Sequence, residues 1–401
     1  FNVNQAADPD VRSFSRNRTL GANADWRIAH SWGRGALGLR FGLGGALHGT
    51  SIRIRAERID PRLTTHVQSP IREVDAYGIV DFQVGRLTLS GGVRHDAIQI
   101  PFRNVLNSAR DTSSSYVRLS PRVGVGLDAG RGVSVYASAG QSFRPPAVIE
   151  LACADPKEPC PLPFALGDDP PLDPVVATTY EAGSRWSVGP ATLSASAYRT
   201  DVRDDIFLFP YEEEGEPEGS TIDGYFANIE ATRREGIELG SGVRLRGDHR
   251  LYLNYAFTRA TFQTDDVELF SIREADDREN EVEPGDRLPL VPDHTLALGG
   301  MLSLPAGLHL GGDARYMGAR WRRGDEANEE EPLAAYRVTD ARLGFAARGW
   351  EVQGIVRNVF DARYATFGTF NLNQGAGNQL EDFLTPGQPR SFVVTVGREW
   401  R

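Results

Sequence analysis

The chain is poor in the features that mark most membrane and catalytic proteins. It holds 2 cysteines and 2 methionines among 401 residues. Mean hydropathy is −0.36, and no stretch approaches the roughly 18 apolar residues of a transmembrane helix. A helical membrane protein is therefore excluded. A barrel is not, because barrel strands are apolar on one face only and leave little trace in averaged hydropathy. No nucleophile elbow, phosphate-cradling glycine loop or metal-spaced histidine pair occurs, so no enzyme, resident metal or cofactor is expected. The net charge of −10 leaves no basic surface suited to nucleic acid. Cys153 and Cys160 share a proline-rich segment with no histidine near them. They are expected to form a disulfide, and with it an oxidising compartment. The chain starts at Phe1 without a methionine or an apolar leader, as expected if processing or truncation removed what came before.

What the sequence does have is repetition. Its 43 glycines and 24 prolines recur along the whole length without an obvious linker. One large repetitive β structure fits this better than two or three ordinary domains. In Leu251-Tyr252-Leu253-Asn254-Tyr255-Ala256-Phe257-Thr258, one face reads Leu, Leu, Tyr, Phe and the other Tyr, Asn, Ala, Thr. Leu296, Leu298, Gly300 and Leu302 repeat the pattern, as do Leu308, Leu310, Gly312 and Ala314, and again Phe392, Val394 and Val396. Period-two alternation of this kind signals strands with one apolar face. Soluble sandwiches show it too, so it does not decide the case.

The connections decide it. Strands are predicted near 16–31, 35–57, 73–84, 86–99, 114–128, 132–143, 177–188 and 190–206, then 224–246, 249–263, 292–304, 306–322, 335–347, 349–359 and 390–400. Tight joints (Gly33-Arg34, Gly85, Ala129-Gly130-Arg131, Gly189, Arg246-Gly247-Asp248, Pro305-Ala306, Arg348-Gly349) alternate with long ones. The long ones cover 58–72, 100–113, 144–176, 207–223, 264–291, 323–334 and 361–389. Brief turns at one rim and long loops at the other mark an all-β, transmembrane antiparallel β-barrel, with the long-loop rim outward. Trp26, Trp32, Trp186, Tyr316, Trp321, Trp350 and Trp400 lie near strand ends, where interfacial girdles belong. The predicted count is about fifteen, whereas single-chain bacterial barrels close with an even number. At least one strand is therefore expected upstream. Acidic residues crowd into 212–214, 265–286 and 325–331 and read as solvated outward loops.

Several stretches in order resemble the carboxy-terminal part of TonB-dependent outer-membrane receptors. They are Val74-Asp75-Ala76-Tyr77 with Leu89-Ser90-Gly91-Gly92-Val93-Arg94-His95-Asp96, and Leu119-Ser120-Pro121-Arg122 with Val135-Tyr136-Ala137-Ser138. Ser142-Phe143-Arg144-Pro145-Pro146, Tyr180-Glu181-Ala182-Gly183, Gly236-Ile237-Glu238-Leu239 and Val291-Pro292-Asp293-His294 follow. Asn358-Val359-Phe360-Asp361-Ala362-Arg363-Tyr364 and Pro386-Gly387-Gln388-Pro389-Arg390 close the series. The resemblance implies a barrel of twenty-two strands around an amino-terminal plug. Residues 1–401 would form the later part of that barrel, without the plug or the TonB box. It further implies a Gram-negative outer membrane, a monomer in lipid, and energy delivered by a TonB-ExbB-ExbD complex. The cargo would be a scarce small molecule, foremost a ferric siderophore or similar Fe(III) chelate. A passive porin of about sixteen strands is the alternative. Haem receptors of the family carry a histidine after the Phe-Arg-x-Pro segment. Residues 145–176 contain neither His nor Tyr, which weighs against haem.

Phe143, Arg144, Tyr211, Phe226, Trp321, Phe367 and Phe370 lie on or beside predicted outward loops. They are the candidate ligand contacts, since aromatic faces stack on aromatic cargo. The competing reading makes the rings girdle residues and pairs Arg144 with a wall carboxylate. Asn358 and Asp361 are expected to cap a bend at the strand exit. Asp276, Asp277, Glu279, Glu281, Glu283 and Asp286 lack the spacing of a dedicated calcium loop and read as hydrated.

Overall fold

A computed structural model describes residues 11–56, 62–108, 111–151, 160–161, 172–210, 223–269, 280–373 and 379–398. Fifteen strands follow one another in an antiparallel path. They are β1 (Val11–Trp32), β2 (Gly35–Ala56), β3 (Arg62–Val84), β4 (Leu87–Asn104), β5 (Thr112–Gly130), β6 (Val133–Arg144), β7 (Val175–Val188) and β8 (Ala191–Pro210). Then come β9 (Asp223–Arg244), β10 (Arg250–Phe262), β11 (His294–Leu304), β12 (Leu308–Met317), β13 (Tyr336–Ala347), β14 (Trp350–Arg357) and β15 (Ser391–Arg398). A two-residue bridge, Cys160–Pro161, adds to the edge of β9 at Asp223 and Gly224. The sheet is open, and β1 and β15 are not paired with each other.

Register turns the sequence alternation into two chemically distinct surfaces. Ile28 faces Leu39, and Leu39 faces Val80. One row away Trp26 pairs with Phe41, their rings 5.4 Å apart and nearly parallel. Farther along the strand order the row from Leu253 through Leu298 to Ala314 carries the same face onward. Leu310–Leu343 and Val352–Val396 extend it to the last strand. These apolar side chains stay open: Ile28 is 55% exposed, Val74 63% and Val394 72%. A soluble protein would bury such a belt, and only lipid covers it without another protein layer.

The opposite face is polar and cross-linked. Arg40 bonds Asp81 at 3.2 Å, Arg94 reaches Asp75 at 3.3 Å and Asp96 at 2.7 Å, and Arg315 reaches Asp340 at 3.0 Å. Asp313 accepts from Tyr252 Oη at 2.5 Å and is also paired with Arg342. Tyr136, Glu181, Arg185, Glu238, Asn254 and Arg315, contributed by β6 to β12, line one concavity of about 590 Å³. The polar face is therefore the inside of the curve.

The inward rim is built from brief turns. At β5–β6, Gly132 has φ +78°, and a Cβ there would lie 2.3 Å from the Ser187 carbonyl oxygen. The turn needs glycine for conformation and for space. The outward rim corrects two expected boundaries. Residues 62–72 and 100–104 are strand, because β3 and β4 climb past the apolar belt. There Arg53, Thr50, Gln68 and Ser69 are polar on both faces, so backbone pairing continues while alternation vanishes. The expected loop 361–389 likewise contains a hairpin, Ala365–Asn373 with Gln379–Pro386. No central core exists in the described wall. Buried apolar residues gather instead under the outward loops.

The two-faced wall predicts a face-dependent cost. Val80→Arg should lower unfolding free energy by about 2–4 kcal/mol, the range for a cation placed in mid-bilayer on a barrel wall. Ile79→Arg, one residue on and turned inward, should cost clearly less. Urea unfolding of the protein refolded into vesicles distinguishes them.

Candidate ligand vestibule

The outward loops form bodies with cores of their own. In the first, Ile100, Tyr116, Leu151, Leu172, Val202 and Ile206 are buried together, and Tyr116 Oη donates to the Leu172 carbonyl at 3.0 Å. In the second, Ile229, Phe262, Leu269, Val282 and Leu288 pack together, with Phe207 tilted against Phe262 at 5.2 Å. These clusters anchor loops that would otherwise be too polar to order.

The second body is tied to residues 323–334 by a buried polar knot. Asn280, 1% exposed, donates from Nδ2 to the Leu269 carbonyl at 3.0 Å and to Glu326 at 2.9 Å. Its Oδ1 accepts from the Ala327 amide at 3.1 Å. Burial pushes the Glu326 carboxyl above the usual carboxylate range, although Asn280 and the Gly324 amide favour its ionised form. Asn328 closes the knot, accepting from the Arg287 amide at 2.5 Å and donating to its carbonyl at 3.1 Å. So part of the acidic 265–286 and 325–331 segments is packed structure, not hydrated loop. Asp276, Asp277 and Glu279 lie outside the described residues. Among the described residues no three acidic, histidine or cysteine side chains converge as a metal site.

The candidate ligand contacts divide between these bodies. Phe143 shares the lipid-side face of β6 with Val133 and Val135, while Arg144 points to the other face, opposite Val175. Arg144 pairs with Glu150 at 2.7 Å, and Glu150 also caps the Ala147 amide at 2.6 Å. The partner is a loop carboxylate, not a wall one. Phe226 packs against the first cluster. Tyr211 and Cys153 lie outside the described residues, as does the side chain of Cys160, and the disulfide with them.

Trp321, Phe367 and Phe370 converge on the last loops. The hairpin docks on residues 320–323: the Arg323 amide donates to the Gly368 carbonyl at 3.1 Å, and the Thr369 hydroxyl to the Arg323 carbonyl at 3.2 Å. Phe370 is 9% exposed, with the Arg322 guanidinium 5.2 Å from its ring centre. Register sets Phe367 on the other face of the hairpin strand, and both it and Trp321 are half-buried. Asn358 and Asp361 cap the exit as expected. Asn358 bonds the Ala362 and Gln388 carbonyls at 2.9 and 3.0 Å, and Asp361 accepts from the Arg390 amide at 3.0 Å.

The arginines beside Trp321 were missed by sequence reasoning. Arg320 is 4% exposed, donates to the Ala365 carbonyl at 2.6 Å, and sits 5.4 Å from the Tyr336 ring centre, itself stacked on Tyr364 at 4.4 Å. Burial presses its pKa down. Arg322 pairs with Asp382 at 3.4 Å. Arg320 Nη1 and Arg322 Nε are nevertheless buried without a hydrogen-bond partner. Under-satisfied donors on cations, held among aromatic rings, suit an anionic aromatic ligand. The available signal was an Arg-Trp-Arg-Arg run inside otherwise acidic loops.

The knot generates a prediction. Asn280→Ala removes a donor from Glu326 and strands the Leu269 carbonyl and Ala327 amide, each buried orphan costing about 1–3 kcal/mol. Hydrogen exchange at 280–290 and 323–334 should accelerate at least about tenfold while the β10–β12 wall is unchanged.

Comparison with known proteins gives a consistent picture. The sequence profile of the family described as "TonB dependent receptor-like, beta-barrel" matches residues 1–359. The catecholate siderophore receptor Fiu of Escherichia coli K12 is 24% identical over 227 residues, 56% of this chain and 26% of that protein. The metal-pseudopaline receptor CntO of Pseudomonas aeruginosa is 24% identical over 321 residues, 76% of this chain and 37% of that protein. The chain thus spans well under half the length of these relatives. The crystal structure of the ferric-catecholate import receptor Fiu in its closed form has TM-score 0.71 at 19% identity, covering 96% of this chain and 55% of that one. The ferric yersiniabactin receptor FyuA from Yersinia pestis gives 0.70 at 17% identity, covering 98% and 56%.

Proposed function

We propose, from the premise that this chain belongs to the TonB-dependent receptor β-barrel family, that it forms the wall and outer vestibule of a receptor importing a ferric siderophore or similar metal chelate. The proposed home is the outer membrane of a Gram-negative-type bacterium, with the receptor a monomer in lipid. The observation that carries the cargo reading is the cationic and aromatic edge at Arg320, Trp321, Arg322 and Phe370. Its buried N–H groups lack partners, and chelates of catecholate type are both anionic and aromatic. The names of the relatives, a catecholate siderophore receptor and a metal-pseudopaline receptor, agree in class.

In this scheme the outward loops capture the chelate, and TonB, driven by ExbB and ExbD, pulls on a plug segment to open a path along the polar inner face. The residues of this chain position and select, and no bond is made or broken. The fixed ion pairs of the inner face, such as Arg94 with Asp75 and Asp96, keep that path wetted and rigid.

The test is growth of a receptor-deletion strain on single iron sources, complemented with the wild-type gene or with R320Q/R322Q. Wild type should restore growth on a ferric catecholate only while TonB is present. The double variant should need about tenfold more chelate, the loss expected of one or two charge-assisted hydrogen bonds. Growth that persists without TonB would identify a passive pore instead.

A further inference from the structure

The arginine edge of the vestibule is covered by a hairpin that is not part of the wall. Residues Ala365–Asn373 and Gln379–Pro386 form a two-stranded sheet of their own. The first strand is fastened to residues 320–323 through the backbone. The Arg323 amide donates to the Gly368 carbonyl at 3.1 Å, and the Phe370 amide to the Arg323 carbonyl at 3.3 Å. The second strand reaches the same run through a side chain, the carboxylate of Asp382. Phe370 and Asp382 are directly opposite in the hairpin register, so both side chains leave one face of it. That face lies on Arg322. The Phe370 ring centre is 5.2 Å from the guanidinium carbon, and Asp382 Oδ2 is 3.4 Å from Nη2.

The pair is half made. A guanidinium presents Nε–H and Nη2–H side by side on one edge, a fork that matches two oxygens. Arg199 shows the filled form, with Nε 2.9 Å from one oxygen of Asp201 and Nη2 3.1 Å from the other. On Arg322 the Asp382 carboxylate engages Nη2, while Nε on the same edge is buried with no partner. The Arg322 side chain is 14% exposed and that of Asp382 40%. Asp382 therefore stands between water and a buried cation and fills half of a site for two oxygens. An unpaired buried N–H is unfavourable, whereas returning a half-exposed carboxylate to water costs little. An anion with two adjacent oxygens gains both N–H groups where Asp382 holds one.

We propose that Asp382 is a built-in competitor for the cargo: it holds the Arg322 edge in the empty receptor, and an anion with two adjacent oxygens displaces it. The inference rests on the chelate reading above and deepens it. Displacement unhooks the second hairpin strand and uncovers the Phe370 ring to stack on an aromatic ligand. The base of the hairpin stays fastened, because Arg320 donates to the Ala365 carbonyl at 2.6 Å. Asp382 is thus a positioning and specificity-determining residue. It keeps Arg322 aimed, and an anion with a single acceptor, such as chloride, gains no second bond and leaves the hairpin shut.

The probe is the iron(III) complex of 2,3-dihydroxybenzoate, bound to the full-length receptor in detergent and measured by equilibrium dialysis with radioactive iron. D382N removes the competitor and should bind the complex about three- to fivefold more tightly, the upper range for an ion pair with one exposed partner. D382E keeps a carboxylate and should stay within about twofold of wild type. A side chain that merely supports the fold, or that touches the ligand, would give weaker binding on removal. A nitroxide on L384C, at an exposed position of the second strand, should gain mobility when the complex is added to wild type. In D382N it should be mobile beforehand. Unchanged or weaker binding by D382N overturns the proposal, as does equal tightening by D382E or a nitroxide that the complex leaves unmoved in wild type. A wild type that binds none of the complex defeats the chelate reading, and this inference falls with it. The wrong sign in D382N defeats the exchange alone.

Discussion

A peptide group inside hydrocarbon has no water to bond with, so its N–H and C=O must find each other or cost several kcal/mol apiece. The wall of this chain follows from that constraint. The wall strands meet it by pairing antiparallel from β1 through β15 in sequence order. Once the backbone is committed to strands, side chains must alternate, and the two faces become two solvents' worth of surface. Ile28, Leu39 and Val80 belong to one, Arg40, Tyr77 and Asp81 to the other.

Where the lipid stops, the rules change. The outward segments cannot rely on the belt, and they order by the means a soluble domain uses. Small apolar clusters around Leu172 and Phe262 are fully shielded. A buried polar knot at Asn280 and Glu326 fixes two acidic loops against each other. Its carboxyl is costly to bury, and the Asn280 side chain, donating two hydrogen bonds and accepting one, holds the arrangement in one geometry. The same layer holds Arg320 and Arg322 incompletely satisfied, an arrangement that packing alone would not favour. The last loops thus set a satisfied acid knot beside an under-satisfied basic edge.

Much of the wall was legible in the sequence. Its strand count and order, the tight turns at Gly33-Arg34, Gly85 and Gly189, and the caps at Asn358 and Asp361 came from alternation, glycine placement and turn chemistry. Strand length above the belt did not, because Arg53 and Gln68 sit where both faces are wet and period two carries no contrast. The hairpin at 365–386 escaped for the same reason. Of the candidate contacts, Trp321, Phe367 and Phe370 are gathered in one body, whereas Phe226 packs in the other and Phe143 turns toward the lipid side. Aromatic content alone could not sort them, since a girdle ring and a ligand ring are the same side chain. The Arg320-Trp321-Arg322-Arg323 run is a visible signal in acidic loops, but what Arg320 and Arg322 fail to bond is revealed only by geometry.

The claim that one face of this sheet meets lipid and the other meets water is open to a direct scan. Single cysteines carrying a nitroxide, placed in turn from residue 74 to residue 83 of β3 in the vesicle-inserted protein, report collision with oxygen or with a water-soluble nickel complex. The account predicts oxygen maxima at Val74, Ala76, Gly78, Val80 and Phe82, with nickel maxima at Asp75, Tyr77, Ile79, Asp81 and Gln83. Nickel access that is equal at neighbouring positions throughout would contradict it.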